Sequence, residues 1–179
     1  MVKKRIVFFD GDGTLWYPKK TRRTEGPHWV YKLEGNHKFH NSHLMMTPTA
    51  ISTLKKLKKL GIITIILSTH PHPPKEAQTI LKEKIKYFHL QGLFDEIIAT
   101  PDHGPNKSKG KFILKMLKKM KIPKSQALMV GDSYKWDYKP AQEAGVKAVL
   151  IESNYQKLHP IGKRIKKTIR KLSDILSFV

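Results

Sequence analysis

The sequence of 179 residues predicts a single α/β domain, a three-layer, doubly wound parallel sheet, over residues 1–179. Short apolar runs alternate with segments whose apolar residues recur at helical spacing, which is typical of strand–helix–strand units. Several of these runs lack polar alternation, as expected for strands buried on both faces. Polar residues follow directly after three of the runs, at the sheet edge where ligands bind in this fold class.

The first strand is predicted at Ile6–Phe9, a continuous apolar run that ends at Asp10. Residues 17–46 contain prolines, glycines and four histidines without a firm periodicity, and we interpret them as an inserted loop. Thr47-Pro48 has the pattern of a helix start, and apolar residues then recur at helical spacing over 51–60 before a glycine stop.

The remaining elements continue the alternation. The last is a basic C-terminal helix within residues 157–179, with amphipathic spacing over 163–176. Before it we predict strands at 62–67, 94–99, 127–130 and 146–151, and helices from Pro73-Pro74 to about residue 85, from Ser108 to 120, and over 140–144.

The composition excludes several classes of site. The chain has no cysteine, which excludes disulfides, a thiolate nucleophile and cysteine-bound zinc. No apolar run approaches the ~20 residues that span a bilayer, and the N-terminal run is too short for a signal peptide. We therefore expect a cytoplasmic protein that does not associate with membranes.

The net charge of +21 has two interpretations. Lys and Arg number 35 against 14 Asp and Glu. Such a field attracts anions such as phosphate esters or nucleic acid. The alternative is the lysine-rich composition of thermophilic proteins, although these usually gain Glu as well.

The chemistry concentrates in the sequence Asp10-Gly-Asp-Gly-Thr14. Two carboxylates in one tight turn can act differently, Asp10 as nucleophile and Asp12 as proton donor. The intervening glycines let the backbone approach a phosphate. Asp132, which arrives from another strand, would complete an oxygen site suited to Mg²⁺. A calcium loop is excluded because Leu15 and Thr21 stand where that loop needs Gly and Glu.

Three segments together resemble the motifs of haloacid-dehalogenase-like phosphatases. The run 9–15 resembles the first motif, the apolar strand ending at Ser68-Thr69 the second, and Gly131-Asp132 followed by Asp137 the fourth. The resemblance covers about residues 5–155 and implies a Rossmann-like fold. The length and the sequence around Trp16 are most similar to the magnesium-dependent branch with a minimal cap or none.

The resemblance also implies roles for individual residues. Asp10 would form an aspartyl phosphate, and Asp12 would protonate the leaving group and then activate water. Ser68 would hydrogen-bond the phosphoryl group. The motif lysine is either Lys107 or Lys109, with Lys109 slightly preferred. The implied phosphate-binding set is Asp10, Gly11, Asp12, Ser68, Thr69 and Lys109, and the implied Mg²⁺ ligands are Asp10, Asp12 and Asp132, supported by Asp137 or Ser133.

The sequence therefore predicts a Mg²⁺-dependent phosphomonoesterase acting on a phosphorylated small molecule or an anionic macromolecule. The alternative is a nucleic-acid-binding protein, or a nucleic-acid end phosphatase, on the same scaffold. The histidines between residues 28 and 103 are interpreted as scattered surface residues rather than a metal site. Trp16 is expected either to stack on substrate or to pack beneath the first loop.

Overall fold

A computed structural model describes residues 3–102, 108–155, 165 and 168–179. Within these residues the strands are β1 (Ile6–Phe9), β2 (Trp16–Pro18), β3 (Leu44–Met46), β4 (Ile63–His70), β5 (Glu96–Pro101), β6 (Ala127–Gly131), β7 (Lys147–Ile151) and β8 (Thr168–Ile169). Six of them form one sheet in the order β5-β4-β1-β6-β7-β8, and all neighbours pair in parallel. β2 and β3 form a separate antiparallel hairpin.

Helices cover both faces of the sheet, as the fold class predicted. The helices are α1 (His37–Ser42), α2 (Ala50–Lys59), α3 (Pro74–Tyr87), α4 (Lys109–Met120) and α5 (Lys139–Glu143). Val7 and Phe9 of β1 pack on one face with α2 and α3, while Ile6 and Phe8 pack on the other with α4 and α5. Shorter helical turns cover Pro27–Lys32, Lys124–Gln126, Tyr134–Tyr138 and Leu172–Phe178. Among the residues described, no helix is long and apolar enough to cross a membrane.

The C-terminal segment departs from the sequence prediction. Within the predicted helix 163–176, Thr168–Ile169 forms β8 beside β7, and a 3-10 turn covers Leu172–Phe178. The rest of that prediction falls on 156–164 and 166–167, outside the described residues. At the sheet edge, pairing with β7 satisfies backbone N–H and C=O groups that a helix would satisfy internally. The helical spacing of the apolar residues was therefore not sufficient to determine the secondary structure.

The insert at 17–46 is a small folded unit and not only a loop. Its ends pair as the hairpin of β2 and β3, in which Trp16 lies opposite Met46. Between them lie the turn Pro27–Lys32 and α1, which Asn36 caps by accepting a hydrogen bond from the Phe39 N–H. The insert lies on the α3 side of the sheet, because α1 packs against α3.

Candidate active site

Three strands deliver polar residues to one cleft of about 630 Å³. Asp10 follows β1, Asp132 follows β6, and Ser68 lies near the end of β4, which extends to His70 instead of ending at 67. β1 and β6 are sheet neighbours although the chain visits β4 and β5 between them. That switch in strand order opens a crevice at the carboxyl ends of the strands. Asp12, Thr69 and Lys109 line the same cleft.

Lys109, the first residue of α4, is the lysine that reaches Asp10. Its Nζ lies 2.5 Å from Asp10 Oδ1 and 2.6 Å from Asp137 Oδ1, and only 1% of the residue is exposed. Burial acts to lower the pKa of Lys109, but the charges of Asp10 and Asp137 outweigh it and raise the pKa. Lys107, the other sequence candidate, lies outside the described residues.

Asp137 is bonded through both of its oxygens. Oδ1 accepts from Lys109, and Oδ2 accepts the backbone N–H groups of Asp132 and Ser133 at 3.2 and 2.9 Å. A Cβ on Gly131 would lie 2.2 Å from the Asp137 carboxyl carbon, so only glycine allows this approach. Asp137 thus fixes Lys109 and the loop that carries Asp132.

Asp10, Asp132 and Asp137 form a buried carboxylate group whose ligand atoms lie within 4.8 Å of one another. Burial and the neighbouring Asp137 raise the pKa of Asp10 well above its usual range. The same two causes raise the pKa of Asp132 to about 7. Lys109 alone does not neutralise this group. A set of hard oxygen donors with excess negative charge fits a divalent cation such as Mg²⁺.

The glycines of the first loop allow close packing against the other strands. Gly13 has φ +81°, and a Cβ there would lie 2.2 Å from Asp132 Oδ2, which accepts a 2.7 Å hydrogen bond from the Tyr155 hydroxyl. A Cβ on Gly11 would lie 2.7 Å from the Trp16 ring and 3.0 Å from Ser68 Oγ. The loop therefore needs glycine so that it can pack closely against Ser68 of β4 and Asp132 after β6. This requirement adds to the one predicted from sequence, which is that glycine lets the backbone approach a phosphate.

Asp12 is surrounded by donors that the sequence analysis did not assign to it. Its Oδ1 accepts from Trp16 Nε1 and the Tyr31 hydroxyl, each at 2.5 Å, and lies 3.3 Å from Lys84 Nζ. Burial acts to raise the pKa of Asp12, but Lys84 and Tyr31 outweigh it and lower the pKa to about 2. Trp16 is buried and stacks on Phe88, so it packs beneath the loop instead of stacking on substrate.

One signal for Lys84 was present in the sequence. The predicted apolar stripe of α3 contains Ala77, Ile80, Leu81 and Ile85, and Lys84 occupies the same face. A charged residue at such a position is buried only when it has a partner. Tyr31 had no comparable signal, because the insert shows no periodicity from which its direction could be inferred.

The interpretation of the histidines as scattered surface residues is wrong for His40 and His70. These residues are 8% and 5% exposed, and both line the cleft. Burial lowers the pKa of His70 to about 4, although Asp12 acts in the opposite direction, so the His70 ring is neutral at pH 7. Over the part of the chain that the structure describes, no histidine joins a group of three potential metal ligands.

Comparison with known proteins places these features in a family context. Residues 9–151 match the model of the haloacid dehalogenase-like hydrolases. Glyceraldehyde 3-phosphate phosphatases from Pyrococcus furiosus and Methanocaldococcus jannaschii are 32% and 29% identical over 69% and 74% of this chain. The chain spans about half the length of these curated relatives, 49% and 55%. The fold matches that of a HAD-superfamily hydrolase from Ehrlichia chaffeensis, with a TM-score of 0.67, 20% identity and coverage of 99% and 97% of the two chains.

Proposed function

The chain belongs to the haloacid dehalogenase-like hydrolase family, and on that premise we propose that it is a Mg²⁺-dependent phosphomonoesterase with Asp10 as nucleophile. The observation that carries the proposal is the placement of Asp10. Its carboxylate is bonded to the buried Lys109 and lines one cleft with Ser68, Asp12 and Asp132. Phosphoryl transfer requires mainly positioning and charge neutralisation, and this cleft supplies groups for both.

In the first step a carboxylate oxygen of Asp10 attacks phosphorus as the bond from phosphorus to the leaving-group oxygen breaks. With a pKa of about 2, Asp12 is a carboxylate in the free protein, so the proton comes from the substrate, which binds as the phosphate monoester monoanion. Asp12 takes this proton and gives it to the leaving oxygen, so the products are an alcohol and an aspartyl phosphate on Asp10. Ser68, Thr69 and the backbone at Gly11 hydrogen-bond the phosphoryl oxygens during the transfer. Lys109 neutralises part of the charge on the phosphoryl group and on Asp10.

In the second step water attacks the phosphorus of the aspartyl phosphate. Asp12, now a carboxylate, takes the proton from that water. The bond between phosphorus and the Asp10 oxygen breaks, which releases inorganic phosphate and restores the Asp10 carboxylate. Asp12 passes that proton to the departing phosphate and ends the cycle as the carboxylate with which it began.

The carboxylate group at the base of the cleft is the proposed metal site. Asp10, the backbone carbonyl of Asp12, and Asp132 would hold Mg²⁺, while Asp137 holds Lys109 and the Asp132 loop in place. When bound, the ion supplies positive charge to the phosphoryl oxygens. The raised pKa values of Asp10 and Asp132 support this assignment, because burial and the neighbouring charge of Asp137 both disfavour their negative charge, which a divalent cation would offset.

The proposed substrates are small phosphorylated compounds. Relatives named glyceraldehyde 3-phosphate phosphatase support that class, and the comparisons give the nucleic-acid alternative no support.

A screen over sugar phosphates, nucleotides, phosphotyrosine and end-phosphorylated oligonucleotides, with and without Mg²⁺, would identify the substrate. We expect Asp10→Asn to abolish turnover while the fold persists, because an amide has nearly the same shape but is a poor nucleophile. Phosphate from the substrate should label the wild-type protein at Asp10 and leave the variant unlabelled. Robust turnover by Asp10→Asn, with an unchanged circular dichroism spectrum, would rule out this mechanism.

A further inference from the structure

Three hydrogen-bond donors converge on a single oxygen of Asp12. They come from three separate parts of the fold: Trp16 from β2, Tyr31 from the insert, and Lys84 from α3. All three reach Oδ1, at 2.5, 2.5 and 3.3 Å. Among the described residues no donor reaches Oδ2. The two oxygens of this carboxylate are therefore in very different surroundings.

Lys84 is the least expected member of this group. It is 1% exposed, and its ammonium donates to the Tyr31 hydroxyl at 2.7 Å. The same ammonium lies 4.7 Å from the centre of the Tyr31 ring and 5.3 Å from that of Trp16. Burying an ammonium is costly unless it is paired, and its paired carboxylate is Asp12. The proposed chemistry already has a separate lysine, Lys109, for the phosphoryl group.

We propose that Lys84, Tyr31 and Trp16 are positioning residues that hold Oδ1 of Asp12 and leave Oδ2 to face the leaving-group oxygen. This inference rests on the proposed function. An oxygen that already accepts three donors has no lone pair left for a further proton, so transfer to and from substrate takes place at Oδ2. Fixing the carboxylate in one orientation keeps Oδ2 within reach of the bond that breaks.

The proposal also gives the insert at 17–46 a role. Tyr31 lies in the turn Pro27–Lys32, and its hydroxyl bonds both Asp12 and Lys84. The ring packs edge-on against His40 of α1, with centroids 5.9 Å apart. The insert thus supplies one of the three donors that orient the acid–base residue, in addition to forming a wall of the cleft.

The test compares a nitrophenyl phosphate with a simple alkyl phosphate in the first turnover. Nitrophenolate leaves as a stable anion and needs no proton, whereas an alkoxide must be protonated as it leaves. We expect Tyr31→Phe and Lys84→Met to slow the first-turnover release of the alkyl alcohol by roughly tenfold or more, within the 10²–10⁴-fold range of general acid catalysis. Release of nitrophenol in the first turnover should stay within about twofold of wild type, since general acid catalysis contributes little to it.

The controls separate positioning from general damage. Lys82→Met changes an exposed lysine on the same helix and should alter neither rate. Tyr31→Phe removes only a hydroxyl, so it carries the test if Lys84→Met fails to fold. An equal loss for both substrates, or no loss for either, would overturn the positioning role and leave the phosphatase function intact. If wild-type protein releases neither leaving group, the proposed function itself fails.

Discussion

Lys109 and Lys84 are both buried lysines, and each lies against a different carboxylate of the first loop. Lys109 bonds Asp10, and Lys84 bonds Asp12. The two pairs differ in charge balance. Asp10 lies in one group with Asp132 and Asp137, so three carboxylates surround Lys109, whereas Asp12 lies outside that group and is paired with Lys84. Consequently the pKa of Asp10 is raised and that of Asp12 is lowered. Two carboxylates of the same motif therefore have pKa values that are shifted in opposite directions.

Alanine substitution of the two candidate lysines would decide which one serves the phosphoryl group. We expect Lys109→Ala to lower kcat by roughly 10²–10³-fold, the usual cost of removing one group that stabilises transition-state charge. Lys107→Ala should leave kcat within about threefold of wild type, since Lys109 already supplies the positive charge at Asp10. Steady-state kinetics at saturating Mg²⁺ measure both. A larger loss for Lys107→Ala would reverse the assignment.

Binding of Mg²⁺ should depend on pH through Asp132. In the metal-free protein the pKa of this carboxyl is about 7, so it is largely protonated below that pH and must lose its proton to bind a cation. We expect the affinity for Mg²⁺ to fall by roughly tenfold per pH unit below this value, with release of about one proton per ion. Titration calorimetry in two buffers of different ionisation enthalpy measures the released proton. Asp132→Asn should bind Mg²⁺ weakly and lose the part of the pH dependence that Asp132 supplies, while any part from Asp10, whose pKa is also raised, remains.

At the scale of elements, the C-terminal segment is part of the core although it is short. β8 extends the sheet beyond β7, and the Glu152 N–H donates to the Ile169 carbonyl. Leu172 and Ile175 of the final turn are fully buried among residues of β1 and α2. Of the positions predicted to face inward, Ile165, Ile169 and Leu172 are buried and Leu176 is partly buried. Ile169 lies in a strand and the two leucines in a 3-10 turn, not in a helix.

Truncation of Leu172 tests how much this segment contributes to stability. Because the side chain is fully buried, we expect Leu172→Ala to lower the free energy of unfolding by about 2–5 kcal/mol. Leu60→Ala is the matched control, since Leu60 is 50% exposed and its loss should cost under about 1 kcal/mol. Urea denaturation measures both. Equal effects of the two substitutions would show that the final turn does not pack as described.

At the scale of the whole molecule, the chain has a net charge of +21, and in the proposed function its cleft takes an anionic substrate. We expect kcat/KM for a phosphate ester to fall as salt rises at constant Mg²⁺, because the Debye length shrinks from ~10 Å at 0.1 M to ~3 Å at 1 M. The kcat value should change little, since substrate is already bound. A kcat/KM that is independent of salt would favour the alternative interpretation, in which the charge reflects a lysine-rich composition like that of thermophilic proteins.

A nucleic-acid partner would give a different salt response. Oligonucleotide binding would weaken with a slope of about 0.7–0.9 in log affinity against log salt for each phosphate neutralised. If nucleic acid is the partner, an unphosphorylated oligonucleotide should inhibit hydrolysis of a small phosphate ester. If the positive charge only attracts the ester, the oligonucleotide should not inhibit the reaction.

The sequence by itself determined the layered fold and the strand ends that carry Asp10, Ser68 and Asp132. Apolar runs buried on both faces have a distinct local pattern, and parallel strands place their carboxyl ends at one edge. The first motif and the Gly131-Asp132 segment lie within a few residues of those strand ends. The local sequence pattern was therefore sufficient to predict that these residues lie close together. The helix α4 was inferred from its apolar spacing in the same way, whereas the slight preference for Lys109 over Lys107 came from the family resemblance.

Only the tertiary structure decided which groups surround Asp12 and how the C-terminus folds. Tyr31 and Lys84 are 53 residues apart, and their meeting depends on how the insert packs on α3. Such contacts depend on the direction of side chains across packed elements, which the spacing within one element does not specify. β8 likewise formed because a free sheet edge was available beside β7, a condition that the amphipathic pattern of the segment does not encode.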